Sequence, residues 1–170
     1  MTQANLPSNR RKVILCGPAG SGKTALVKKM RTNQFEEKYV ATMGVEVHPI
    51  VHGSKVFNVW DCAGSEKFSG IREGYYIEGQ VAIVMYNINA NDDINYHEDG
   101  DFSTQDYVAS LRETCGNIPI IICGNKSDLG VWANSNNNLN MGQNNIYYHH
   151  ITTKNDIGIA RLLDMINNLT

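Results

Sequence analysis

Short apolar runs alternate along this chain with segments of helical period. Lys12 to Cys16 is an apolar run that stops at a glycine, the pattern of a buried strand. Thr24 to Arg31 carries Leu26, Val27 and Met30 at helical spacing. Val45 to Val51 and Lys55 to Trp60 predict two strands around His52-Gly53-Ser54, a hairpin with a glycine turn. Val81 to Tyr86 is a further apolar strand. Val108, Leu111 and Cys115 mark a helix, and Ile118 to Cys123 the next strand. Ile146 to Ile151 is a weaker strand, and Ile159, Leu162, Leu163 and Ile166 recur as a closing helix. The remaining stretches lack a period. Residues 1–10 are polar and expected to be disordered. Residues 32–44, the glycine-rich run Gly64 to Gly79, the acidic run 88–101 and the asparagine-rich run Trp132 to Asn145 give no clear element.

Apolar strands that alternate with helices predict an α/β fold, a mostly parallel six-stranded sheet with helices on both faces. A length of 170 residues argues for one domain, expected over 11–170. In such sheets ligands bind beyond the carboxyl ends of the strands, so residues that follow strands carry the interest.

Composition narrows the function classes. A formal charge of −2 gives no support to general nucleic-acid binding. No apolar run approaches the roughly 18 residues that span a bilayer. Thr2 follows Met1, and Asn167, Asn168, Leu169 and Thr170 form no prenylation motif, so no membrane anchor is expected. Cys16, Cys62, Cys115 and Cys123 form no CxxC pair and read as reduced core residues of an intracellular protein. His97, His149 and His150 lack metal-ligand spacing and read as loop or strand-edge residues. The asparagine richness of 134–145 reads as coding bias rather than function.

Three motifs follow predicted strands. Gly17-Pro18-Ala19-Gly20-Ser21-Gly22-Lys23-Thr24 fits GxxxxGK(S/T), between a strand and a helix. Glycines there let backbone N–H groups wrap a phosphate, and the helix N-terminus adds partial positive charge. Lys23 would set a full charge against the terminal phosphates, and Thr24 would offer a hydroxyl to Mg2+. Asp61-Cys62-Ala63-Gly64 follows the second hairpin strand. Asp61 would face the magnesium through a water, and Gly64 would donate its N–H to a γ-phosphate. Asn125-Lys126-Ser127-Asp128 follows the fifth strand. A carboxylate at Asp128 can accept both the ring N–H and the exocyclic amine of guanine, and adenine offers neither there.

In this order, these motifs resemble those of the small GTPase superfamily. Within it, Phe35 to Pro49, Phe57 to Asp61, Glu66-Lys67-Phe68 and Gly74 to Ile77 are similar to the two switch regions of the Ran family of nuclear-transport GTPases. The likeness is dense from about residue 11 to 87 and again from 115 to 128. It implies a P-loop GTPase fold, GTP or GDP with Mg2+ as ligands, and GTP hydrolysis. It also implies a monomer in nucleus and cytoplasm that meets importin-type receptors, an exchange factor and a GTPase-activating protein. Thr42 would close on Mg2+ and the γ-phosphate. Phe35 would pack on the guanine edge and Lys126 over the base plane. Thr152-Thr153-Lys154 stands where the family has Ser-Ala-Lys, with the Thr153 N–H toward the guanine carbonyl. Ala25 and Tyr39 complete the implied nucleotide-binding set.

The chain departs from that pattern at Ser65, where the family carries the glutamine that orients the attacking water. Serine is too short to span the same distance, so slow intrinsic hydrolysis is expected, with Lys23, Thr42, Gly64 and Ser65 as the catalytic set. Trp132 to Asn145 holds no Lys or Arg in place of the basic patch of Ran, and its linker, extra helix and acidic tail have no counterpart up to Thr170. Receptor contacts that use those elements are expected to weaken. The alternative is a binding module that mimics Ran and does not hydrolyse GTP. A small P-loop kinase is disfavoured, because the chain shows neither a phosphoryl-acceptor site nor a basic lid.

Overall fold

A computed structural model describes residues 9–38, 40–64, 69–89, 103–126 and 143–170. Six strands form one sheet: β1 (Arg10–Cys16), β2 (Val45–His52), β3 (Lys55–Cys62), β4 (Val81–Asn87), β5 (Ile120–Asn125) and β6 (Ile146–His150). Among the described residues, α1 (Lys23–Thr32), α2 (Ser69–Tyr76) and α3 (Thr104–Cys115) lie between strands, and α4 (Ile159–Leu169) follows β6. The strand order is β2-β3-β1-β4-β5-β6, with β2 antiparallel and every other pairing parallel.

The pleat divides the core in two. Val13 and Leu15 of β1 face one side with Leu26 and Val27 of α1 and Leu162 and Ile166 of α4. Ile14 and Cys16 face the other with Tyr76 of α2 and Tyr107 and Leu111 of α3. A strand covered on both faces needs an apolar residue at every position, which is why the central strands read as unbroken apolar runs.

Element ends differ from expectation where charged or polar groups carry the contact. β1 starts at Arg10, whose Cα pairs with Val56, and the Val56 N–H donates to the Asn9 carbonyl at 3.1 Å. Asn9 and Arg10 are therefore ordered, and the rest of the expected disordered segment lies outside the described residues. α3 starts at Thr104, ahead of Val108, because Ser103 and Asp106 form a capping box. The fifth strand begins at Ile120 instead of Ile118. In the glycine-rich run α2 forms without an apolar period to announce it. Arg72 and Tyr76, four apart on one face, are both buried, and the Arg72 guanidinium lies 4.9 Å from the centroid of the Tyr107 ring. The expected loops at 88–101 and Trp132 to Asn145 lie mostly outside the described residues.

Candidate functional site

β1, β3, β5 and β6 run parallel, so the loops leaving them emerge along one edge of the sheet. That edge brings Ala19, Gly20, Gly22, Gly64, Lys126, Thr153 and Lys154 around one cavity of about 520 Å³. Phe35 to Lys38 and Val40 to Thr42 form its far wall. The volume is that of an ordinary small-molecule site.

The loop after β1 is built on backbone that only glycine accepts. Gly17 has φ +134, and a Cβ there would lie 2.0 Å from the Met85 carbonyl oxygen. Gly22 has φ +98 and caps α1 without a side-chain acceptor, so the first-turn N–H groups have no partner within the helix. Lys23 is buried, and its ammonium donates to the carbonyls of Gly17 and Pro18, each at 2.8 Å, and to Ser21 Oγ at 3.4 Å. Burial lowers its pKa, and the nearby Asp61 carboxylate opposes that shift. An anion in the cavity would oppose it further.

Beside Lys23 three oxygens converge. Thr24 Oγ1 donates to Asp61 Oδ2 at 2.6 Å and lies 2.8 Å from Thr42 Oγ1. Asp61 is fully buried, its Oδ1 has no hydrogen-bond partner, and desolvation raises its pKa while the Thr24 hydroxyl and Lys23 lower it. A buried carboxylate with an orphaned oxygen next to two hydroxyls is a donor set that fits a hard cation. Thr24 and Thr42 would hold the ion, and Asp61 would face it through a water. Among the described residues no cluster of three His, Cys, Asp or Glu offers another metal centre.

Gly64 lies against the P-loop. A Cβ on it would sit 2.5 Å from the Ala19 nitrogen and 2.7 Å from Lys23 Nζ. Ala63 is tied back by its N–H, which donates to the Gly44 carbonyl at 2.8 Å, so the segment carrying Thr42 and the segment carrying Gly64 are joined.

At the other end of the cavity Asn125 is a hub. Its Nδ2 donates to the Ser21 carbonyl at 3.0 Å, and its Oδ1 accepts from the Thr153 N–H at 3.2 Å and the Thr153 hydroxyl at 3.0 Å. The Thr153 N–H, expected to face the guanine carbonyl, points in this structure to the same Asn125 oxygen as its hydroxyl. Thr152 is buried and does not line the cavity, and its backbone pairs with Ile157. Lys126 has φ +65, and its carbonyl accepts from the Asn89 side chain. Phe35 is half-buried and, like Ala25, lines the cavity. Ser65, Asp128 and Tyr39 lie outside the described residues.

The sequence model of a family described as Ras of Complex, Roc, domain of DAPkinase matches residues 12–128. The chain belongs to this family of Ras-like GTPase domains. The matched residues of this Roc domain include all three motifs, from Gly17 through Asp61 to Asp128. The family accounts for the α/β P-loop architecture and for a GTP-binding switch with GTPase chemistry. No helix among the described residues of the Roc domain is long and apolar enough to cross a membrane.

Lys28 lines the Roc domain's cavity and belongs to no motif read in the sequence. Glu36, Glu37, Lys38, Val40 and Ala41 also line it; they fall in the Phe35 to Pro49 stretch read as a switch region, where no nucleotide-binding role was assigned to them. His149, read as a loop or edge residue, is buried within the edge strand β6. There it hydrogen-bonds through Nε2 to the Gly158 carbonyl at 2.8 Å. The four cysteines are free; Cys16, Cys62 and Cys123 are buried, and Cys115 is half-buried.

Proposed function

We propose that this domain is a guanine-nucleotide switch of the Ran type. It holds GTP or GDP with Mg2+, hydrolyses GTP slowly and engages importin-type receptors in its GTP form. One observation supports the switch most directly: Thr42, from the long segment after α1, meets Thr24 of the P-loop at 2.8 Å, beside Asp61. A segment that reaches the phosphate end of the site through one hydroxyl is held there while a γ-phosphate is present and released when it leaves.

The residues divide the work. Lys23 and the N–H groups of Gly20 to Ala25 take the phosphates. Gly64 presents its N–H to the γ-phosphate. Asn125 holds the base-binding turn against the P-loop, Asp128 reads the guanine, and Phe35, Tyr39, Lys126 and Lys154 enclose it. Mg2+, when bound, neutralises charge on the phosphate oxygens. The Ran-type part of this reading rests on Phe35 to Pro49 and on Phe57 to Ile77. It places the protein in nucleus and cytoplasm, as a monomer served by an exchange factor and a GTPase-activating protein. Loss of the basic patch would weaken part of the receptor contact.

Two measurements test it. In single-turnover assays Ser65→Gln should hydrolyse GTP faster than the parent, by up to about 10² if one positioning contact is restored. An unchanged rate would remove the role given to Ser65. In pull-downs with importin-type receptors, the GTP-loaded protein should bind and the GDP-loaded protein should not. Equal or absent binding in both states would end the transport reading. Ser65 also favours a second reading, a module that stays GTP-bound and only binds; a parent turnover rate no higher than that of free GTP would select it.

A further inference from the structure

Three ion pairs close a circuit around the mouth of the cavity. Lys28 of α1 pairs with Glu36. Glu37, the next residue, pairs with Lys154 at 2.8 Å. Asp156, two residues further, lies 3.9 Å from Lys29, next to Lys28 on α1. The circuit therefore runs from α1 to the 35–38 segment, across to the turn after β6, and back to α1. Lys28, Glu36, Glu37 and Lys154 all line the cavity. The Glu37–Lys154 pair joins residues 117 apart in sequence and links the 35–38 segment to the turn after β6, both of which line the cavity.

We propose that this circuit is an electrostatic clasp that sets the rate of nucleotide release, with Glu37 and Lys154 as its positioning pair. This rests on the guanine-nucleotide reading given above. A nucleotide seated below the pair leaves only after the 35–38 segment parts from the turn holding Thr153 and Lys154. The Lys154 hydrogen bond and charge hold the Glu37 carboxyl below the usual carboxylate range, so the pair stays ionised at neutral pH. Side-chain exposures of 53% for Lys154 and 76% for Glu37 keep the effect modest and sensitive to salt. The chemistry of the pair predicts a change in dissociation rate and little change in association.

The test follows release of fluorescently labelled GDP into excess unlabelled GDP. The parent, Glu37→Gln, Lys154→Gln and the double variant are compared at low and high salt. Glu37→Gln should speed release about two- to fivefold at low salt. In the Lys154→Gln background it should add nothing, whatever direct contact Lys154 makes with nucleotide. High salt should speed the parent toward the rate of Glu37→Gln. If Glu37→Gln changes release equally in both backgrounds, or in neither, the clasp is refuted while the nucleotide-binding reading stands. If the parent retains no labelled GDP, that reading falls and the clasp falls with it.

Discussion

Replacing Asn125 by alanine removes one side chain and three buried hydrogen bonds. Nδ2 no longer donates to the Ser21 carbonyl, and the Thr153 N–H and hydroxyl lose their shared acceptor. A protein hydrogen bond contributes about 0.5–1.5 kcal/mol net, and a buried group left unpaired costs toward the upper end. Three such bonds predict a loss of about 2–4 kcal/mol in unfolding free energy. Water entering the space left by the amide would place the result at the lower end. Thr153→Val removes only the hydroxyl and should cost about 1 kcal/mol. Because the two residues share that bond, the double variant should be less destabilised than the summed singles. Urea unfolding without added nucleotide reads the stability; GDP titration reads the site. Affinity should fall as well, because Asn125 fixes the P-loop to the turn carrying Thr153 and Lys154, and both line the cavity. An Asn125→Ala variant within about 0.5 kcal/mol of the parent would refute the idea that this side chain joins the two halves of the site.

Two other perturbations have outcomes set by geometry. In Gly64→Ala the new Cβ would meet backbone of the P-loop at 2.5–2.6 Å, so the Asp61 to Gly64 turn must move off the phosphate end. Single-turnover hydrolysis should fall on the order of 10², the loss typical of one misplaced hydrogen-bond donor, and a rate within threefold of the parent would contradict this. His149 has a lowered pKa because burial disfavours its charged form, with Arg161 and His150 adding repulsion and the Gly158 carbonyl opposing. The unfolded chain therefore takes up a proton on this side chain at higher pH than the folded one. Stability is full above the unfolded value of 6.5 and falls as pH drops below it toward the folded value. Thermal unfolding at pH 5 and 7.5 should show a smaller loss on acidification for His149→Gln than for the parent.

The sequence by itself determined the class of fold and the three motifs, each at the end of a strand. Strands buried on both faces leave unbroken apolar runs, and a loop that must wrap a phosphate leaves glycines at set intervals. These are demands that each segment meets alone, so each is written locally. α2 escaped because its core face is made by a charged residue, Arg72, and a tyrosine, in place of an apolar stripe. Thr24, Thr42 and Asp61 were expected around one ion, and the fold sets them within hydrogen-bond reach. Tertiary structure alone decided that Asn125 meets Thr153 and that Glu37 meets Lys154, because the parallel strands and the antiparallel β2 deliver their loops to one edge of the sheet. Contacts between residues tens of positions apart leave no period in the chain, since neither partner's own neighbours depend on them.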